Sequence, residues 1–136
     1  MNKREGMNRR EVGERFEKRA CAYMTERGFV VLERNFRCRQ GEIDVVGEEE
    51  GYLVFAEGKY RASGISGNPA EAVTAAKQRK ICRVADYYRH CHGIGDGRAV
   101  RYDVVAIEGI GEAERIVWLK NAFDHIYGER RTGGRM

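Results

Sequence analysis

Two short stretches place charge where a strand would bury it. In "GEIDVV", Glu42 and Asp44 alternate with Ile43 and Val45; in "YLVFAEGKYR", Glu57 and Lys59 interrupt an otherwise apolar run. Side chains alternate across a strand. Glu42 and Asp44 are therefore expected on one face, with Ile43 and Val45 on the other, and Phe55, Glu57 and Lys59 share a face. If the two strands pair through the "EEEG" turn, the hairpin register can set Asp44 beside Glu57. Three carboxylates and one ammonium then converge at one end of a sheet. Close carboxylates repel each other and are costly to bury. A divalent cation relieves that repulsion, and an all-oxygen cluster suits Mg²⁺ or Mn²⁺. Asp44, Glu57 and Glu42 are the candidate metal ligands. Lys59 is placed to orient a water or to balance charge on a phosphate. The competing reading pairs Glu57 with Lys59 on a solvated face and ties Asp44 to a turn.

The elements that must position these groups follow from periodicity. Val12, Phe16, Ala20, Tyr23 and Met24 recur at helical spacing and predict an amphipathic helix ending at Gly28. "FVVLERNFR" reads as a first strand, "GEIDVVG" as a second and "YLVFAEGKYR" as a third. Pro69 suits the first position of a helix capped by Asn68. That helix carries Val73, Ala76, Ile81, Val84, Ala85 and Tyr88 on one face and runs to about His90. "GIGDG" breaks the chain, "VRYDVVAI" reads as a fourth strand, and "RIVWLKNAF" as a short fifth strand running into a last turn or short helix. A hairpin followed by a helical crossover predicts an α/β fold with a mixed sheet and helices on its faces.

Of the 136 residues, 42% are hydrophobic and 34% charged, which suits one domain with a densely charged surface. The net charge of +4 permits a polyanionic partner. Residues 1–11 read as a flexible basic N-terminus, 12–127 as the single domain and 128–136 as a flexible basic tail. No apolar segment is long enough to span a membrane, and no signal peptide is visible. Cys21, Cys38, Cys82 and Cys91 form no CxxC pair. A reducing, cytoplasmic setting without membrane attachment is the expectation. "HCH" at His90–His92 lacks a second cluster and reads as a polar helix end rather than a zinc site.

The stretches "GERFEKRACAYMTERGFVVLERNFRCRQGEIDVV", "LVFAEGKYR", "AVTAAKQRKICRVADYY" and "RYDVVAI", with the closing "NAF", resemble in order and spacing the YraN-like family of small bacterial proteins. That family is similar to the PD-(D/E)XK, restriction-endonuclease-like superfamily. The resemblance covers about Val12 to Phe123 and is most specific in "RNFRCRQGEID". It implies a restriction-endonuclease-like fold in α-β-β-β-α-β order and a site built from Asp44 and the E-x-K of Glu57 and Lys59. It also implies that Glu14 on the first helix lies near the metal, as in resolvases of this fold, and that Gln78 on the crossover helix faces the site. Gly58 stands where the family usually has a β-branched residue, and is expected to leave a gap in the strand. Tyr60 stands where it often has threonine.

The function these features imply is metal-dependent, resolvase-like hydrolysis of nucleic-acid phosphodiesters, with DNA the expected partner. Arg34, Arg37, Arg39, Arg61, Lys77 and Arg79 are candidate phosphate contacts. The alternatives are a non-catalytic nucleic-acid-binding module and an interaction protein on the same fold.

Overall fold

The computed structural model describes residues 9–61, 71, 73–109 and 111–127. Helix α1 (Arg9–Glu26) leads into strands β1 (Val30–Cys38), β2 (Gly41–Glu49) and β3 (Tyr52–Arg61). Helix α2 (Ala75–Cys91) crosses to β4 (Val100–Glu108), and β5 (Arg115–Phe123) follows. The five strands lie in the order β1-β2-β3-β4-β5. Only β3 and β4 run parallel, as the helical crossover between them requires. The mixed sheet between helices is the restriction-endonuclease-like α/β arrangement that the element order predicts.

Both helices pack through the faces their sequences suggest. Ala20 and Met24 of α1 meet Phe29, Val45, Val54, Ala56, Val105 and Ile107 on one side of the sheet. Ile81, Val84, Ala85 and Tyr88 of α2 meet Ile43, Val46, Phe55, Tyr102 and Val104 on the other. Glycine at φ +103 ends α1, where the Phe29 N–H closes back on the Met24 carbonyl at 3.1 Å. The β2–β3 turn has Glu50 at φ 53 and Gly51 at φ 85 between the paired Glu49 and Tyr52. Two central residues with positive φ make the tight turn whose twist matches the strands.

Several boundaries differ from those the sequence suggests. Helix α1 begins at Arg9, inside the segment expected to be a flexible terminus. Helix α2 starts at Ala75, because Thr74 caps it: its hydroxyl accepts the Lys77 N–H at 3.1 Å. Val73 is buried against the core but precedes the helix. Asn68 and Pro69 lie outside the described residues. Strand β5 is as long as β4, and residues 124–127 are irregular chain rather than a helix.

The strict alternation expected in "GEIDVV" fails at one place. Ile43 packs in the α2 layer and Val45 in the α1 layer. The partner strand switches at the same level: Arg34 reaches Glu17 of α1, whereas Phe36 packs in the α2 layer. Between them Asn35 has φ 57. A left-handed residue reverses the pleat, so both strands turn over together at Asn35 and Asp44. That leaves Asp44 at the hinge of the switch rather than squarely on one face.

Candidate acidic site at a fork in the sheet

Strands β2 and β3 pair from Glu49↔Tyr52 to Val45↔Ala56 and no further. Beyond that point β2 continues on β1 alone, and β3 on β4 alone. The register would next place Asp44 across from Glu57. Instead the ladder stops, and Asp44 Oδ2 accepts the Gly58 N–H at 2.8 Å. A side chain thus replaces the backbone acceptor that a continuing ladder would have supplied. The fork opens onto a small recess lined by Glu17, Ala20, Met24, Asp44, Glu57 and Tyr60, among others.

Carboxylates from three elements meet here. Oxygens of Glu17 on α1 and of Glu42 and Asp44 on β2 lie within 4.8 Å of one another. Glu57 on β3, 7% exposed, borders the recess but stands outside that group. Each of the three glutamates has a cation. Arg34 lies 3.5 Å from Glu17, Arg37 3.4 Å from Glu42, and Lys77 3.3 Å from Glu57. Asp44 has no cationic partner among the described residues. Burial and then the charge on Glu57 push its carboxyl up to about 7, with Glu17 and Glu42 adding to the rise; only the Gly58 N–H pulls it back. Burial likewise raises Glu57, outweighing the pull of Lys77 and Lys59.

The sequence-derived candidates divide accordingly. Asp44 and Glu42 lie together, Glu57 lines the same recess as Asp44, and Lys59 lies half-buried on β3 within electrostatic reach of Glu57. Glu14 is exposed and contributes no oxygen to the cluster; α1 supplies Glu17, one turn further on. Glu17 sits three, four and seven residues before Ala20, Cys21 and Met24, all buried. A glutamate on the apolar stripe of a helix is the signal that could have singled it out. Gln78 turns back on its own helix, donating Nε2–H to the Val73 carbonyl at 3.1 Å. Of the expected phosphate contacts, Arg34, Arg37 and Lys77 are engaged with carboxylates, while Arg39, Arg61 and Arg79 are exposed.

Gly58 leaves no gap. A Cβ there would lie 2.6 Å from the Tyr60 hydroxyl oxygen, and the Tyr60 ring stacks on Phe16 at 4.8 Å between centroids. The tyrosine occupies the space over the glycine.

A second charged centre, absent from the sequence reading, lies at the opposite end of β2. Arg101, 6% exposed, binds Glu49 at 2.6 Å and Asp103 through two contacts of 2.9 Å. Lys120 also binds Glu49, at 2.6 Å, while Trp118 Nε1–H and the Asn121 N–H donate to Asp103, each at 2.9 Å. Burial works to raise Glu49, but Lys120 and Arg101 together hold it below its ordinary range. Both carboxylates of this network have cationic partners, in contrast to Asp44 at the fork.

The five-stranded mixed sheet with a helix on each face is the restriction-endonuclease-like arrangement. Residues 16–107 match the model of the uncharacterised protein family UPF0102. A UPF0102 protein of Lachnoclostridium phytofermentans is 44% identical over 118 residues, covering 87% of this chain and 97% of the relative. Those of Nitrosococcus oceani and Marinobacter nauticus are 39% and 41% identical over 114 residues, covering 84% and 83% of this chain and 92% of each relative. The chain belongs to the UPF0102, or YraN-like, family. Among the described residues, no helix is long and apolar enough to cross a membrane.

Proposed function

We propose that the chain is a metal-dependent hydrolase of nucleic-acid phosphodiesters, with DNA the expected substrate. The observation that carries this reading is Asp44: a carboxylate at the fork, within 4.8 Å of two others, with no cation of its own among the described residues. Such a group is stabilised by protonation or by a bound cation. The donor set is all carboxylate oxygen, which fits Mg²⁺ or Mn²⁺. Asp44, Glu42 and Glu17 would hold the ion, and Glu57, which lines the same recess, would complete the set. When bound, the ion would supply Lewis-acid activation of water and charge neutralisation at the phosphate.

The chain's own groups divide the remaining work. Asp44 stays fixed by the Gly58 N–H, which keeps one oxygen aimed across the fork. Lys59 cannot ligate a cation while charged, so its part is to orient the attacking water or to meet the phosphate. Arg39, Arg61 and Arg79, exposed and cationic, supply phosphate contacts along the backbone of the substrate.

One observation favours a non-catalytic binding module instead: the three glutamates already carry cationic partners. Mn²⁺-supported cleavage of a panel of branched, flapped and single-stranded DNA and RNA substrates separates the two. Wild type is expected to cleave at least one member. Asp44→Asn and Lys59→Ala are expected to be inactive, Lys59→Ala while still taking up Mn²⁺. Absence of Mn²⁺-dependent cleavage across the panel, or turnover by Asp44→Asn equal to wild type, overturns the hydrolase reading.

A further inference from the structure

Lys77 occupies an unfavourable place for a cation. It is the third residue of α2, and its own N–H is taken by the Thr74 cap. The first turn of a helix carries the positive end of the helix dipole and favours anions; here that turn holds no acidic residue. The ammonium reaches to Glu57 Oε2 at 3.3 Å. The Glu57 side chain is 8% exposed, whereas that of Lys77 is 42% exposed, so the lysine approaches from solvent and the glutamate lies beneath. Glu57 is also the one carboxylate of the recess that stands outside the group formed by Glu17, Glu42 and Asp44. The glutamate that would complete the cluster is thus held by a cation from the solvent side, on a helix end that attracts negative charge.

We propose that Lys77 is a displaceable counter-ion. It holds Glu57 while no divalent cation is bound, and passes to a phosphate of the nucleic acid when a divalent cation takes Glu57. This rests on the reading of the acidic site as a metal site. Because one ammonium serves both anions, metal and nucleic acid reinforce each other's binding, and the coupling is reciprocal. A metal ion arriving alone competes with Lys77; a metal ion arriving with a phosphate does not. The freed ammonium and the N-terminus of α2 then face the phosphate together.

The test has two readouts other than cleavage. Mn²⁺ is titrated calorimetrically into wild type, Lys77→Gln, Lys77→Arg and Glu57→Gln, each checked for folding by its thermal melt. Removing the competing ammonium is expected to tighten Mn²⁺ binding by Lys77→Gln about two- to fivefold, the range of a partly exposed ion pair. Lys77→Arg keeps the wild-type affinity, and Glu57→Gln weakens it. Separately, a fluorescent DNA oligonucleotide, in the shape wild type binds best, is bound in chelator and in Ca²⁺. Ca²⁺ is expected to tighten binding by wild type and Lys77→Arg, and by Lys77→Gln at most half as much on a logarithmic scale. Equal Mn²⁺ affinity in wild type and Lys77→Gln, with Glu57→Gln weakened, overturns the counter-ion role and leaves the metal site standing. Undiminished Ca²⁺ enhancement in Lys77→Gln overturns the transfer to phosphate. Failure of wild type to take up Mn²⁺ overturns the metal site and this inference with it.

Discussion

Replacing Asp44 by asparagine should stabilise the protein in chelator, and only above a defined pH. An ordinary aspartate titrates near 3.8, whereas burial and the neighbouring carboxylates bring Asp44 to about 7 in the folded chain. An acid raised on folding binds its proton more tightly in the native state. Below pH 4 it is protonated in both states and contributes nothing. As pH rises from 4 to 7 the unfolded chain ionises first, and the native state loses stability over that window; above 7 the loss is complete. A difference of about 3 in pKa corresponds to about 4 kcal/mol. Asparagine keeps the oxygen that accepts the Gly58 N–H and removes the charge. Relief of the strain, less some loss of fit, gives an expected gain of about 2–4 kcal/mol at pH 8 and close to none at pH 4. Urea denaturation of wild type and variant at pH 4, 6 and 8, with chelator present, measures this. A variant less stable than wild type at pH 8, or a difference independent of pH, would refute the account of Asp44 as a repelled, half-buried carboxyl.

Gly58→Val brings a side chain against the Tyr60 hydroxyl and should cost about 1–3 kcal/mol; adding Tyr60→Thr should recover at least about 1 kcal/mol of it. Strict additivity of the two changes in urea melts would show that they do not share the space. Arg101→Met leaves the buried Asp103 without a cation and Glu49 with Lys120 alone, and should destabilise by about 3–5 kcal/mol; a loss below about 1 kcal/mol would mean the network contributes little. Nucleic-acid binding should weaken steeply between low and moderate salt as phosphate contacts release counterions. Affinity unchanged over that range, followed by fluorescence anisotropy, would argue against phosphate contacts.

The strand order was legible because turn chemistry and strand patterning are local, and the hairpin register carries Asp44 to the level of Glu57 although the ladder stops one pair short of them. The E-x-K pair stood out because its strand is otherwise apolar. The fork was not legible: it coincides with a left-handed Asn35 on the neighbouring strand, which alternation cannot reveal. The resemblance points to Glu14, whereas the α1 carboxylate in the cluster is Glu17, one turn on, and only its place beside Ala20 and Met24 tells the two apart. Arg34, Arg37 and Lys77 look like surface charge in one dimension; that they neutralise carboxylates emerges only when α1, β1 and α2 come together over the sheet. Asp103 was passed over inside "VRYDVVAI" because Trp118 and Asn121, which donate to it, lie on β5.

That buried network also sets how the last strand may sit. Strand β5 is an edge strand, half-exposed along most of its length, so its apolar pattern specifies pairing only weakly. Opposite Asp103 the ladder with β4 breaks register between Tyr102 and Val104, where Asn121 takes φ 56 and turns its N–H onto the aspartate. Trp118 and Lys120 reach the same network from the same stretch. Sliding β5 by one residue would withdraw all three donors at once and leave two carboxylates in the interior with one guanidinium between them. Slippage is therefore an all-or-none event for this edge rather than a graded one. The strand that greasy contacts leave free to drift is held to a single alignment by charge.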